Sequence, residues 1–389
     1  MKSVREYDVA VAGGGIAGIA AALSAARNGA KTCIVEKEVM LGGLATAGLI
    51  VIYLPLCDGM GNQIIYGIGE ELLELSIKYD TQAEIPAAWK PGASPDLDAR
   101  KKQRYSVTYN PYLFAIAAEE LLQSEGVDLI YDSVVTALDM QQSSIASLNI
   151  YNKSGNITIR AKSFVDATGD ADLCHLSGEN TAVYRENKLA SWNYYFDGKA
   201  VRLHGLAEPL YEPASYYKHL YDGTNYEDIT QSLLDSRQML MADLQKKREN
   251  NPQAMPVTLP SIPLMRMTRR LVGAYELDES EERKWFDDAV GVTGDWRKPG
   301  PVFYLPYRCL YGRTVKNLIT AGRCISATTP MWDITRVIPT CAVTGQAAGA
   351  AAALQAQDKN GFEGVSVRVL QEKLIQQGVR LNREFISET

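Results

Sequence analysis

The stretch VAVAGGGIAGIAAALSAA, residues 9–26, decides how the rest of the chain is read. Its 18 residues carry no charge, enough to imitate a membrane span or the apolar core of an export signal. In either case Gly13, Gly14 and Gly15 would lie in mid-helix, each costing up to ~1 kcal/mol relative to alanine. A strand, a tight turn and a helix account for the same letters without that cost. Tyr7–Ala12 runs apolar, as a strand buried in a parallel sheet does. Gly13, Gly15 and Gly18 follow in G-x-G-x-x-G spacing, and Ile16, Ile19, Ala20 and Leu23 then recur at helical intervals. Asn28–Gly29 stops the helix, and a second strand, Thr32–Val35, runs into Glu36.

Each of these residues has a physical task. Gly13 permits the tight turn, Gly15 lets a pyrophosphate approach the backbone, and Gly18 lets helix and strand pack closely. The helix begins with unpaired N–H groups and the positive end of its dipole, which favour phosphate. Glu36 lies 18 residues beyond Gly18, where a carboxylate accepts hydrogen bonds from ribose hydroxyls. No arginine replaces or immediately follows it, so a 2′-phosphate is not favoured. The fold class that follows is α/β, a doubly wound parallel sheet of the Rossmann-like FAD/NAD(P)-binding kind.

Four features select FAD over NAD. Adjacent glycines, Gly42 and Gly43 in GGLATAG (42–48), close backbone over an extended cofactor soon after Glu36. Asn110 and Pro111 open a helix to about Ser124; a strand at Val127–Tyr131 and short β-rich segments to about Ile159, Val135 among them, read as an inserted β-meander. Phe164–Ala167 is a strand ending in ATGDAD (167–172), at the sheet edge that faces ligands in such folds. Finally, Leu318–Ala321 is a strand followed by Gly322–Arg323, a loop to Pro339 and an alanine-rich helix from Thr340. Gly345, Gly349 and Ala353 give that helix a close-packing face, and its amino end suits negative charge on a reduced flavin. The candidate cofactor residues are Gly13, Gly15, Ile16, Ala17, Gly18, Glu36, Lys37, Gly42, Gly43, Leu44, Ala45, Thr46, Val135, Ala167, Thr168, Gly169, Gly322, Arg323, Pro339 and Thr340.

Composition narrows the function from another side. The chain has 389 residues, 46% hydrophobic and 22% charged, so about two domains with an ordinary core are expected. A formal net charge of −6 argues against nucleic acid or an anionic membrane as the main partner. Six scattered cysteines without a C-x-x-C pair and three scattered histidines leave no metal-ligand spacing. Reduced thiols point to a cytoplasmic location. A small-molecule substrate is the expected partner, with homo-oligomerisation left open.

The motifs together resemble the bacterial FAD-dependent oxidoreductases with a glutathione-reductase-type FAD domain, in the wider neighbourhood of succinate dehydrogenase flavoproteins. The resemblance covers most of the chain. It is carried by GGGIAG, Glu36, GGLATAG, IGEELL (68–73), NPYLFAIAAEELL (110–122), VDATGDADL (165–173), RMTRRLVGAYELDE (266–279), LPYRCL (305–310) and, most specifically, residues 317–349. It implies that Gly13, Gly15, Gly18, Glu36, Gly43, Thr46, Gly169, Gly322, Arg323 and Pro339–Thr340 surround FAD. Several branches place a histidine where this chain reads Thr328–Thr329–Pro330, so a mechanism resting on that histidine does not transfer.

Residues 184–304 break the α/β rhythm, with many tyrosines and one helix at Glu227–Glu249, and read as an inserted α+β cap domain. The expected division is a discontinuous FAD-binding domain of residues 1–183 and 305–357, the cap of 184–304, and a helical tail of 358–389. Arg266, Arg269, Arg270 and Tyr304 are the substrate-binding candidates, since guanidinium groups grip carboxylates, and structural salt bridges or covering the FAD phosphates are the arginines' plain alternatives. Asp333 and Arg336, in the loop before the last long helix, are the catalytic candidates. Asp333 is either a base or the structural partner of Arg336. Cys324 and Cys341 read as small buried hydrophobes.

No second G-x-G-x-x-G occurs, so no NAD(P)H domain is expected, and electrons leave through oxygen, a quinone, a carrier protein or a second substrate. The leading function is hydride transfer between a small organic substrate and flavin N5. Two alternatives stand beside it: a structural FAD-binding protein, and a biosynthetic enzyme of the same fold that uses a dinucleotide as reactant.

Overall fold

The structure, a computed structural model, describes residues 3–94, 96–207, 219–358 and 360–383. The chain opens with β1 (Ser3–Ala12), α1 (Ile16–Arg27) and β2 (Thr32–Val35), in the places that the glycine spacing predicts. A short ribbon, β3 (Ile52–Tyr53) with β4 (Val107–Thr108), brackets α2 (Ile68–Ile77) and α3 (Leu97–Lys102). Asn110 caps α4 (Pro111–Ser124), its side chain accepting from Tyr112 N at 3.0 Å and Leu113 N at 3.2 Å. Then come β5 (Asp128–Ile130), β6 (Val134–Gln141), β7 (Ser144–Asn152) and β8 (Gly155–Asp166).

The seven-stranded sheet has the order β5-β2-β1-β8-β7-β6. Its parallel part runs from β5 through β2 and β1 to β8. Beyond that, β8 serves two neighbours. Residues 155–160 pair antiparallel with β7, while Phe164–Asp166 pair parallel with the late strand β16 (Leu318–Thr320). The strand expected at Phe164–Ala167 is therefore the far half of the last meander strand. One extended segment of 12 residues leaves no turn between the two.

After α5 (Asp172–Ser177) and β9 (Thr181–Val183), the chain enters a small antiparallel sheet of β10 (Ser191–Phe196), β11 (Val201–Ala207) and β12 (Met255–Thr258), with α6 (Tyr226–Asn250) beside it. Part of this region, residues 208–218, lies outside the described residues. β13 (Arg269–Leu271) returns to pair with β9. The stretch that follows departs from the expected cap. β14 (Ala289–Gly294) and β15 (Val302–Pro306) form a hairpin whose residues Ala289, Val290, Val292, Val302 and Phe303 share one hydrophobic core with Val9 and Leu23. The two strands, AVGVTG and VFYLP, are mostly apolar, and burying them against the main body is what stabilises such a stretch most.

β16 leads to α7 (Thr329–Thr335), where a loop was expected, and to α8 (Ile338–Asp358); α9 (Val367–Gln376) completes the described structure. Of the expected tail, residue 359 and residues 384–389 lie outside the described residues. α8 is buried almost throughout and lies against α1. A Cβ added at Gly345 would stand 2.3 Å from the Ala17 carbonyl oxygen, and one at Gly349 2.0 Å from that of Ala21. The two helix backbones approach too closely for any side chain. Among the described residues no single helix is long and apolar enough to cross a membrane.

Candidate cofactor cleft and the chamber beside it

A cleft of about 210 Å³ opens at the carboxyl ends of β1, β2, β8 and β16. Gly13 turns the chain out of β1 at φ +97°, and a Cβ there would strike the Ala167 carbonyl oxygen at 2.4 Å. A Cβ at Gly18 would fall 1.8 Å from the Gly13 carbonyl oxygen. Gly18 therefore works from beneath, by letting α1 close on the turn. Gly15 differs from both. Its backbone is ordinary extended chain, and an added Cβ meets nothing within 4 Å, because the space in front of it is the cleft.

Glu36 stands at the next strand end, buried to 6% exposure. Its Oε1 accepts from Glu38 N at 2.8 Å and its Oε2 from Gly14 N. Burial pushes its carboxyl above the ordinary value, against those two N–H donors. A carboxyl whose folded pKa is raised contributes stability that is lost as pH climbs through that pKa. Without cofactor, the melting temperature is therefore expected to fall as pH rises above the ordinary carboxylate range. Glu36→Gln should remove that slope; a slope unchanged in the variant would assign it to another group.

The backbone of 42–46 closes the third side. Gly42 N donates to Gly14 O at 2.8 Å, and Thr46 Oγ1 donates to Leu41 O to lock the turn. Opposite, Arg323 reaches across the cleft. Its Nη2 meets Asp170 Oδ1 at 3.1 Å and its Nη1 donates to Met265 O, while Thr268 Oγ1 donates to Asp170 Oδ1 at 2.6 Å. These bonds tie the strand ends to the segment above them. Cys341 also lines the cleft. Burial holds its thiol up to about 12, so it is protonated and unreactive at neutral pH.

A second cavity, about 370 Å³, shares Leu44, Ala45, Met265, Arg323, Arg336 and Ile338 with the cleft. Its other walls are mostly apolar: Leu49, Val51, Leu54, Trp192, Leu203, Leu264, Trp296 and Val337. Trp192 Nε1 donates to Gly48 O at 2.8 Å and Ser261 N to Ala47 O at 2.9 Å, so β10 and the loop after β12 are fastened to the GGLATAG turn.

The expected residues fall into separate groups in the structure. Gly13, Gly15, Ile16, Ala17, Glu36, Lys37, Gly42, Gly43, Leu44, Ala45, Ala167, Thr168, Gly169 and Arg323 all line the cleft. Gly18 and Thr46 do not face it and support it from behind. Gly322 is buried, with its N–H on Thr344 Oγ1 at 2.9 Å. Thr340 is buried with its hydroxyl on that of Thr293 at 2.7 Å, and Pro339 beside it is also buried, whereas Ile338 reaches the cleft. Val135 lies in β6 against the other face of the sheet, away from both cavities.

Of the substrate candidates, Arg266 lines the second cavity. Arg269 pairs with Asp172 at 3.4 Å, and Arg270 pairs with Glu276 and lies over the Trp332 ring at 5.7 Å. Tyr304 is fully buried in β15, its hydroxyl donating to Asn382 O at 2.8 Å. The structure brings none of these last three to either cavity. Arg336 lines both, and Asp333 lines neither. Asp333 Oδ1 accepts from Arg336 Nε at 3.0 Å, and its Oδ2 meets Arg297 Nη1 at 3.4 Å. The geometry brings Asp333 to Arg336 as the structural alternative expects, one turn back on α7. The sequence leads to the expectation of a pocket roofed by residues 184–304, but the lining of the second cavity went unread. Only the apolar run Leu49–Leu54 signalled it, and its other walls come from β10, β11 and the loops after β12 and β14.

Comparison with known proteins agrees with this geometry. The sequence model of a family described as FAD dependent oxidoreductase matches residues 8–191 and 210–374. A thiamine thiazole synthase of Metallosphaera sedula is 28% identical over 169 residues, 43% of this chain and 55% of that protein. One of Saccharolobus islandicus is 28% identical over 171 residues, 43% of this chain and 57% of that protein. The chain thus spans little more than half the length of these relatives. A crystal structure of a geranylgeranyl bacteriochlorophyll reductase-like protein from Thermoplasma acidophilum superposes with a TM-score of 0.51 and 16% identity, covering 96% of this chain and 84% of that one. It shares the fold.

Proposed function

We propose, from the premise that this chain belongs to the FAD dependent oxidoreductase family and takes FAD as its cofactor, that it moves a hydride between a small organic molecule and flavin N5. The observation that carries this reading is the apolar cavity opening onto the glycine-lined cleft through six shared residues. A room beside the cofactor site is what turnover requires and a purely structural cofactor does not.

The residues present fit FAD. The open space before Gly15, the buried carboxylate of Glu36 and the backbone of 42–45 form a cradle that a side chain at Gly15 would fill. Gly13–Ala17 would hold the pyrophosphate, Glu36 the ribose, and Leu44, Ala45 and Ile338 the boundary with the second cavity. Apolar walls there exclude water and strengthen every charge that faces inward. Arg336 is held by Asp333 at the junction of the two cavities, and α8 begins beside it at Ile338. Both favour negative charge at that place.

The direct experiment is anaerobic titration of the yellow protein with a panel of amines, hydroxy acids, sugars and reduced carriers. Bleaching of the flavin band by one class supports the reading, and none by any class defeats it. Asp333 is proposed as a positioning residue. Asp333→Asn should lower turnover about tenfold, the lower end of what loss of a supporting contact costs, and leave the pH profile of kcat unchanged. Loss of the profile's acid limb would instead make Asp333 the base.

A second reading draws on the similarity to proteins named thiamine thiazole synthase: a biosynthetic enzyme that consumes a dinucleotide. Mass analysis of the released cofactor separates the two, since intact FAD is expected on the first reading and a nicotinamide-derived adduct on the second.

A further inference from the structure

We propose that the second cavity takes an apolar molecule carrying a single carboxylate, gripped by Arg336 and Arg266; this names the substrate class for the hydride-transfer reading and rests on it. Among the described residues, every charged side chain lining the cavity is cationic: Arg266, Arg323 and Arg336. At close range in a dry site, the groups on the wall set the local potential. The carboxylates near them, Asp170 and Asp333, stand outside this wall.

Hydrogen-bonding capacity points the same way. The two indoles on the wall are already committed, Trp192 Nε1 to Gly48 O at 2.8 Å and Trp296 Nε1 to Asp333 O at 3.0 Å. Arg336 gives Nε and Nη2 to Asp333, which leaves Nη1 for a ligand. The side chains therefore ask for an acceptor, and a guanidinium binds a carboxylate best. The rest of the wall is aliphatic and aromatic, where a second ionised group would find no partner. One anionic head on an apolar body matches a wall that is apolar except for its guanidinium groups.

The arginines have a rival task, neutralising the cofactor's phosphates. Arg323 and Arg336 line the cleft as well as the cavity and are open to that role. Arg266 lines the cavity alone, which is why the proposal needs it.

The test uses the FAD-loaded protein and two probe pairs, 4-phenylbutanoate and decanoate, each against its primary amide. Binding is read by quenching of tryptophan fluorescence, because Trp192 and Trp296 lie on the wall, and by perturbation of the flavin band. The acid of at least one pair is expected to bind about tenfold or more tighter than its amide, the worth of one charge-assisted hydrogen bond. Arg336→Gln and Arg266→Gln should each bring that ratio towards one, and Arg336→Lys should keep part of it. If Arg336→Gln does not fold, Arg266→Gln decides alone. Amide binding as tight as acid in both pairs, or no binding of either, overturns the proposal. So does a pair of glutamine variants that shed FAD while keeping the preference for acid. Were the protein to bind no FAD, the cofactor reading would fail, yet the fluorescence ratio would still report on the cavity.

Discussion

Gly15→Ala is expected to fold like the parent chain and to be colourless. The two halves of that result have separate causes. At φ −67° and ψ −178° the Gly15 backbone is open to any residue, and an added Cβ meets no atom within 4 Å. Substitutions that touch nothing change stability by about 0.5 kcal/mol or less, so the melting temperature without cofactor should stay in place. The same methyl group occupies the space through which a pyrophosphate would approach the turn. Losing roughly two charge-assisted hydrogen bonds at ~1.5 kcal/mol each would weaken FAD binding on the order of 100-fold. Gly18→Ala is the contrasting variant. Its Cβ would sit 1.8 Å from the Gly13 carbonyl oxygen, so it should damage the fold and the cofactor site together. Calorimetry of the cofactor-free variants and titration with FAD check both. If Gly15→Ala retained FAD at the parent's affinity, the phosphates would not pass over Gly15.

Gly349→Ala should unfold the protein at a lower temperature, although it improves the helix in which it lies. Alanine is favoured over glycine in a helix interior by ~1 kcal/mol. Against that stands a Cβ 2.0 Å from the Ala21 carbonyl oxygen, where backbone meets backbone and no side chain can swing aside. Overpacking costs ~1–3 kcal/mol and more where the neighbour cannot yield. The net expectation is a loss of about 2 kcal/mol or more. Parting α1 from α8 also moves the two helix starts that border the cleft, so FAD retention should fall with stability. Equilibrium unfolding of the variant with and without FAD measures both. A variant as stable as its parent would mean that the helices can separate at little cost, and close packing would not explain these glycines.

Much of the cofactor side was legible because its residues are local. A turn, the phosphate-facing glycines and the carboxylate of Glu36 lie within about 30 residues, and their spacing is itself the geometry. The strand ends at Thr168 and Arg323 were readable for a similar reason, as each closes an apolar run. The misplaced residues failed for physical reasons of another kind. Tyr304 and Arg270 have the chemistry of substrate groups, but only their packing against Asn382 and Trp332 shows that they are turned away. β8 reads as two strands because its halves have different neighbours, one antiparallel and one parallel.

From the chain alone came the doubly wound α/β fold, the glycine turn, the carboxylate at the end of β2 and FAD itself, all consequences of residues close together in sequence. The apolar cavity came only from tertiary structure. Its walls are drawn from residues 44–54, 192–205, 264–266, 296 and 323–338. No spacing along the chain encodes which of those side chains face one another, because that is decided by how the cap settles on the sheet. The same holds for the pairing of Asp333 with both Arg336 and Arg297, which its own segment does not encode.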